Sequence, residues 1–468
     1  MENLTGGTPP VRYLPCVVPC KLYFTACGTT AVSSSVAPSS QSKSDSTAST
    51  SPEEVTFEVW SEYPGDTAIL ERMVEKFNSA YADKGYHAVL NLYTGAERAT
   101  LIAAAVETNT LPALMFTGWF TSTDYIHQGL VADVTDIVEP VKSDLYPFAY
   151  EETRINGKSY MLPLYQAYFG LMYNADIFKE AGLEEYVPED ENSVTTWTLD
   201  AYENEILPKL ASRFQGTEGY PMSVFAADNQ ADTWTLNWLT MLGGKMWDNG
   251  LSVAGDDENT VAALEKLIDW SNRGYTNSNV VTKSGTEVNG EFENQMSAIT
   301  FCQYTTYTSD MDKMEKGEIQ PFDLRFATIP QKVGEKDSSV MASYVCGALL
   351  MNNGNDAQME GGREFLRWLM DERESLNEYS AYSQPVFASV ERATAADHPM
   401  YAALKEIEPA LWSFTGNVPG YVSTRSLLFP ELQAAFSGEK TAKQALTDYQ
   451  NNANQVIQEY MENSLVLN

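Results

Sequence analysis

From Val55 onward the chain switches repeatedly between a two-residue and a 3.6-residue hydrophobic period, and this alternation limits its possible folds more than any other feature. Val55-Thr56-Phe57-Glu58-Val59-Trp60 alternates apolar and polar residues and predicts a strand. After a loop at 61–66, Ile69, Leu70, Met73, Val74, Phe77 and Tyr81 mark one face of a helix. A second strand is predicted at 88–93, a second helix at 99–107, and a short buried strand at 114–116. Strands that alternate with helices place the chain in the α/β class, in layers around a parallel sheet. Further helices are predicted at 198–213, 234–242, 259–273, 361–376 and 439–462, with strands at 297–302 and 344–351. Asn156-Gly157 between short β-like runs predicts a hairpin turn with positive φ.

The 468 residues suffice for two lobes with their own cores. Acidic residues number 64 against 30 basic ones, a net charge of −34 that would repel nucleic acid and anionic lipid alike. No CxxC pair exists, so a thiolate zinc site of the usual spacing is excluded. Cys302 and Cys346 lie in apolar, strand-like runs and are expected to be buried free thiols. Asp256-Asp257-Glu258-Asn259 lacks the spaced ligands and central glycine of a calcium loop and reads as the start of a helix. Gly157-Lys158-Ser159 mimics the end of a phosphate loop, but the first glycine of that motif is replaced by Glu152. No cofactor and no metal is expected.

The first fifty residues are of another kind. Residues 27–53 are rich in Ser and Thr, contain almost nothing that could form a core, and read as a solvated tether. Phe24-Thr25-Ala26-Cys27 precedes them. Small residues ahead of a cysteine resemble the end of a bacterial lipoprotein signal, which would make Cys27 the lipid-anchored first mature residue. Residues 1–26 have no basic start, and Pro15, Pro19 and Lys21 interrupt the apolar part, so they read as an atypical or mis-called signal region. No later stretch reaches about 18 uninterrupted apolar residues, so membrane attachment is expected only through that lipid.

Six segments resemble, in order, the maltose-binding-protein-like family of ABC-importer solute-binding proteins. They are VTFEVWSEYPGDTAILERMVEKFNSAY, LPALMFTGWFTSTDYIHQGLVADVTDIV, INGKSYMLPLYQAYFGLMYNADIFKEAGL, WTLDAYENEI, FENQMSAITFCQY and FSGEKTAKQALTDYQNNANQVI. The third is the most specific, with Gly-Lys, Leu-Pro, Tyr-Asn-x-Asp and Lys-x-Ala-Gly-Leu in sequence. The resemblance implies a two-lobed periplasmic-binding-protein-like fold with a hinge and an interlobe cleft. It assigns 55–163 with 330–385 to the first lobe and 164–329 with 386–468 to the second. It further implies a monomer on the extracellular face of the bacterial membrane, delivering a carbohydrate to ABC-transporter permease subunits.

A sugar ring presents C–H groups on its faces and hydroxyls at its rim, so its site needs flat aromatics beside short polar side chains. The loops expected to face the cleft supply both. They offer Trp60, Glu62, Tyr63 and Asp66 after the first strand, then Trp119, Phe120 and Asp124. Tyr165, Gln166 and Tyr168 fall around the crossing between lobes. The second lobe contributes Asp228, Asn229, Asp232, Trp234 and Trp238, then Gln303, Tyr304 and Tyr307, and late in the chain Trp412, Tyr421 and Arg425. Trp60 could equally belong to the core, one of Trp234 and Trp238 must, and Asp66 could merely cap a helix. The resemblance puts Trp234 where that family places a sugar-stacking aromatic, and Tyr304 where it often has a tryptophan.

Two other function classes compete with this reading. A secreted glycoside hydrolase needs two carboxylates about 5–10 Å apart across a cleft. The sequence has neither an HExxH zinc motif nor a GxSxG elbow, and His87, His127 and His398 are scattered. A binding protein of the same fold for a polyamine or a peptide would also use aromatics and carboxylates.

Overall fold

The computed structural model describes residues 54–62, 67–95, 97–330, 341–381, 384–390, 400, 403–404, 411–413, 415 and 417–467. The expectations for the leader, the tether and Cys27 lie outside the described residues. The opening alternation forms as its period predicts. Strand β1 (Val55–Ser61) runs parallel to both β2 (Tyr86–Leu92) and β3 (Leu114–Gly118). Its inward residues Phe57 and Val59 are fully buried against the helix Thr67–Tyr81, where Phe57 meets Phe77 edge-on at 5.9 Å. Each such side chain contributes roughly 1.5–3 kcal/mol by leaving water. Asn156 and Gly157, at φ of 51° and 76°, join the short strands β4 (Arg154–Ile155) and β5 (Lys158–Ser159) in the expected hairpin.

The next strand, β6 (Leu162–Asn174), organises the molecule, and every one of its 13 residues is buried. It is followed by β7 (Tyr220–Ser223), the hairpin β8 (Trp247–Asp248) and β9 (Leu251–Ser252), β10 (Ser297–Gln303), β11 (Leu324–Ala327), β12 (Met341–Leu350), β13 (Gln384–Pro385) and β14 (Leu411–Ser413). The main strand order is β2-β1-β3-β12-β6-β10-β7. Within it, β6 changes partners once. Residues from Leu162 to Tyr168 pair antiparallel with β12 and β13, whereas those from Phe169 to Asn174 pair antiparallel with β10 and β11. One strand thus serves two sheets, and the chain folds as a two-lobed α/β protein in which both lobes share this strand.

Local chemistry sets the punctuation. Asn174 ends β6 and accepts hydrogen bonds from the backbone N–H groups of Asp176 and Ile177, capping the helix Ala175–Glu180. This gives the Tyr-Asn-x-Asp segment a mechanical role. Asp257 caps the helix Glu258–Asn272 by accepting from the Thr260 N–H at 2.7 Å, as the acidic cluster predicts. The helix expected at 198–213 is less regular: it opens at Leu199–Ala201, widens to a π turn over Tyr202–Ile206, and resumes as Leu207–Phe214. Pro208 explains the widening, since it donates no hydrogen bond and its ring crowds the preceding turn.

Two long helices finish the chain. Tyr421–Phe436 was not legible as a helix, because its apolar residues face all round and Pro430 interrupts it. It packs on the helix Ala231–Met241, and the last helix, Ala442–Asn463, packs on Glu258–Asn272. Both also touch the helix Thr123–His127 that follows β3. Cys302 in β10 and Cys346 in β12 are both buried. Among the described residues no helix is long and apolar enough to cross a membrane, and no group of side chains could hold a metal ion.

Candidate ligand-binding cleft

Loops that leave the C-terminal ends of the parallel strands converge on one cleft of about 450 Å³, within the range of roughly 300–1,000 Å³ for small-molecule sites. From the first lobe, β1 delivers Glu62, the turn after β2 delivers Gly95 and Arg98, and the turn after β3 delivers Phe120 and Thr121. The shared strand β6 adds Phe169, and β12 adds Tyr344. From the second lobe come Asn229, Gln230 and Thr233 after β7, Gln303 at the end of β10, and Arg425 from the helix Tyr421–Phe436.

Three rings form one apolar wall. Phe120 meets Tyr344 edge-on at 5.0 Å, and Tyr344 lies 5.5 Å from Phe169, which stacks on Phe301 behind it. The Tyr344 hydroxyl donates to Gln303 Oε1 at 3.2 Å. The opposite character comes from the amides and hydroxyls of Asn229, Gln230, Thr233 and Thr121, which offer donors and acceptors without charge.

Charged groups at the cleft are already engaged. Glu62 accepts from Arg98 through one carboxylate oxygen and from the Thr117 hydroxyl through the other. Asp232 is bound by Arg425 through Nε at 2.6 Å and Nη2 at 3.0 Å, and by the Tyr421 hydroxyl at 2.6 Å. Burial opposes the charge on Arg425, but Asp232 more than restores it and holds the guanidinium pKa above its ordinary value. Burial, aided by Asp232, likewise pushes the Tyr421 phenol well up, so it stays a donor. The Arg425 guanidinium stands 5.3 Å over the Phe120 ring, joining the helix Tyr421–Phe436 to the turn after β3.

The residues proposed from sequence separate into three groups. Glu62, Phe120, Asn229, Gln303 and Arg425 line the cleft, with Asp232 directly behind Arg425. Several others are structural and correct the expectation. Trp119 is wholly buried, because its turn folds back and its indole N–H donates to Asn417 at 2.7 Å. Trp234 is buried on the inner face of its helix, donating to the Phe225 carbonyl, and Trp238 is buried with it. Tyr168 faces the core on the other side of β6 from Phe169, and its hydroxyl accepts from Gln166. Tyr165 is also buried in β6. Trp60 is half-buried, edge-on to Tyr93, with its N–H on Glu58. Tyr304 stacks on Tyr307 and packs against Phe326. The third group is Tyr63, Asp66 and the Trp412 side chain, which lie outside the described residues; the backbone of Trp412 belongs to β14.

Sequence reasoning missed Arg98, Phe169, Gln230, Thr233 and Tyr344. One signal was available for Arg98: ligands of open α/β sheets sit beyond the carboxyl ends of parallel strands, and that rule applied to β2 points to residues 93–98.

A comparison with curated proteins by sequence gave no match. By fold, the chain is similar to the cyclic α-maltosyl-1,6-maltose binding protein of Arthrobacter globiformis, with a TM-score of 0.69 and 19% identity over 87% of this chain and 100% of that one. It is similar to the GacH receptor of Streptomyces glaucescens, solved unliganded and with acarbose, with a TM-score of 0.69 and 16% identity over 87% and 100%. A third likeness is the ABC-transporter solute-binding protein of Agrobacterium radiobacter K84 in complex with ribitol, with a TM-score of 0.69 and 16% identity over 86% and 99%. At such identities the likeness bears on the fold alone. The sequence itself, over residues 61–374, matches the model of the bacterial extracellular solute-binding proteins. That match takes in more than half of the chain and most of the strands that build the cleft, so the chain belongs to the bacterial extracellular solute-binding protein family, a family of binding proteins and not of enzymes.

Proposed function

We propose that this chain is the extracytoplasmic solute-binding component of an ABC importer and that its cleft captures a carbohydrate, specifically an oligosaccharide, by closure of the two lobes. The observation that carries the reading is the composition of the cleft: an aromatic wall of Phe120, Tyr344 and Phe169 faces amides and hydroxyls drawn from both lobes. Such a surface matches the apolar faces and polar rim of a sugar. The related folds solved with acarbose and ribitol agree with it. A polyamine would require carboxylates open to the cleft, and among the described lining residues the sole carboxylate, Glu62, is already held by Arg98 and Thr117.

In this proposal the lobes comprise 55–163 with 330–385 and 164–329 with 386–468, Phe120, Glu62 and Arg425 contact the ligand, and permease subunits recognise the closed form. Cys27 carries the lipid, residues 27–53 act as the tether, and the protein works as a monomer. A thermal-shift and calorimetric screen with oligosaccharides, polyamines and short peptides tests the reading. Stabilisation by at least one oligosaccharide is expected; a response to polyamines or peptides alone would overturn it.

A further inference from the structure

The two walls of the cleft carry the same arrangement of charge. On the first-lobe wall Arg98 donates to Glu62, and on the second-lobe wall Arg425 forks onto both oxygens of Asp232. In each pair the carboxylate is the deeper member. Side-chain exposure is 4% for Glu62 against 13% for Arg98, and 1% for Asp232 against 9% for Arg425. Glu62, Arg98 and Arg425 are the charged residues among the described lining residues, and Asp232 completes the second pair. The charges therefore cancel wall by wall. Asp124 and Asp228 stand near enough to Arg98 and Arg425, respectively, to add further negative potential.

Pairing before the ligand arrives changes what the ligand can be. A neutralised guanidinium keeps its donor geometry but offers an anion no net attraction. A carboxylate or phosphate on the ligand would give up its water to guanidinium groups whose charge Glu62 and Asp232 already cancel, so its desolvation would go uncompensated. An ammonium would meet the guanidinium groups first. Hydroxyl groups meet neither penalty and can accept from the same N–H groups.

Resting on the carbohydrate reading above, we propose that Glu62 and Asp232 set specificity as positioning residues: by neutralising Arg98 and Arg425 they restrict the cleft to uncharged saccharides and reject uronic acids, sugar phosphates and amino sugars. The test is calorimetric titration with maltose, maltotriose, glucose, galactose and mannose, alongside glucuronic and galacturonic acids, glucose 6-phosphate, glucosamine and spermidine. Wild type should bind neutral sugars tighter than their charged counterparts by on the order of tenfold or more. Asp232→Asn and Glu62→Gln each unmask one guanidinium. Each should raise affinity for the uronic acid relative to its neutral partner by about tenfold, whereas a purely structural pair would, on mutation, weaken both alike. Should Asp232→Asn fail to fold, Glu62→Gln alone decides. Tighter binding of a uronic acid than of its neutral partner by wild type, or unchanged selectivity in the variants, overturns the inference and leaves the carbohydrate reading intact. Binding of spermidine without any sugar, or silence of the whole sugar panel, overturns the carbohydrate reading itself.

Discussion

Phe120 leaves its ring half-buried among Tyr344, Tyr421 and Arg425, whereas Trp119, one residue earlier, is wholly enclosed with its N–H on Asn417. Two mutations with opposite signatures follow from this contrast and from Trp234. Phe120→Ala removes cleft wall without opening a core cavity; ligand affinity should fall by on the order of tenfold while the melting temperature moves little. Trp234→Ala empties a buried site and removes the donor to Phe225, and should destabilise by about 3–5 kcal/mol in urea denaturation while leaving affinity of the folded fraction nearly unchanged. If the two effects were exchanged, the assignment of core and cleft would be wrong. Sequence could not separate these rings. Consecutive aromatics in a turn have no periodicity to orient them, so their direction is fixed only by what the distant segment around Asn417 offers. The small polar residues Gln230 and Thr233 were equally hidden, since a cleft amide and a surface amide are the same residue until the fold sets them apart.

At the scale of elements, strands and helices with a clear period were legible, and β1, β2, β3 and the helix Thr67–Tyr81 lie close to where alternation puts them. What the period cannot show is pairing. β6 is uniformly buried, and only its partners reveal that hydrogen bonding passes from β12 and β13 to β10 and β11 between Tyr168 and Phe169. Two glycines mark how tightly that crossing is packed. A Cβ on Gly347 in β12 would run into the Leu162 carbonyl, at the point where the β12–β6 register shifts. A Cβ on Gly170 would stand 2.6 Å from the Ala327 carbonyl oxygen. Gly347→Ala should therefore cost about 1–3 kcal/mol and broaden thermal unfolding, since it strains the strand that joins the lobes. Ala substitution at Gly290, which has open space around its Cβ position, is the control; equal losses at both sites would show that close approach at the crossing is not the cause.

Across the whole molecule, the segment from β14 to the C-terminus packs over two buried carboxylates, Glu152 and Asp124. Glu152 accepts from the Ser413 hydroxyl at 2.7 Å, and burial pushes its pKa up to about 7. Asp124 is raised to about 6, again by burial, which outweighs its hydrogen bonds from Tyr460 and the Gly420 backbone. Both groups hold a proton more tightly when folded than when unfolded. Their contribution to stability is therefore full at low pH and is lost as pH rises through the folded values. For Glu152 the loss falls between its ordinary value near 4.5 and about 7, and amounts to something on the order of 3 kcal/mol. The net charge of −34 acts in the same direction, because protonation relieves repulsion among carboxylates. His127, whose pKa burial pushes down, acts in the opposite direction as pH falls below about 6.5. A comparison of wild type with Glu152→Gln removes these shared terms. Unfolding free energies measured from pH 5 to 8 should fall more steeply for wild type, and the variant should be the more stable of the two at pH 8. Parallel curves would mean that Glu152 is ionised at no cost in the folded protein and that burial beneath the C-terminal segment does not govern its proton.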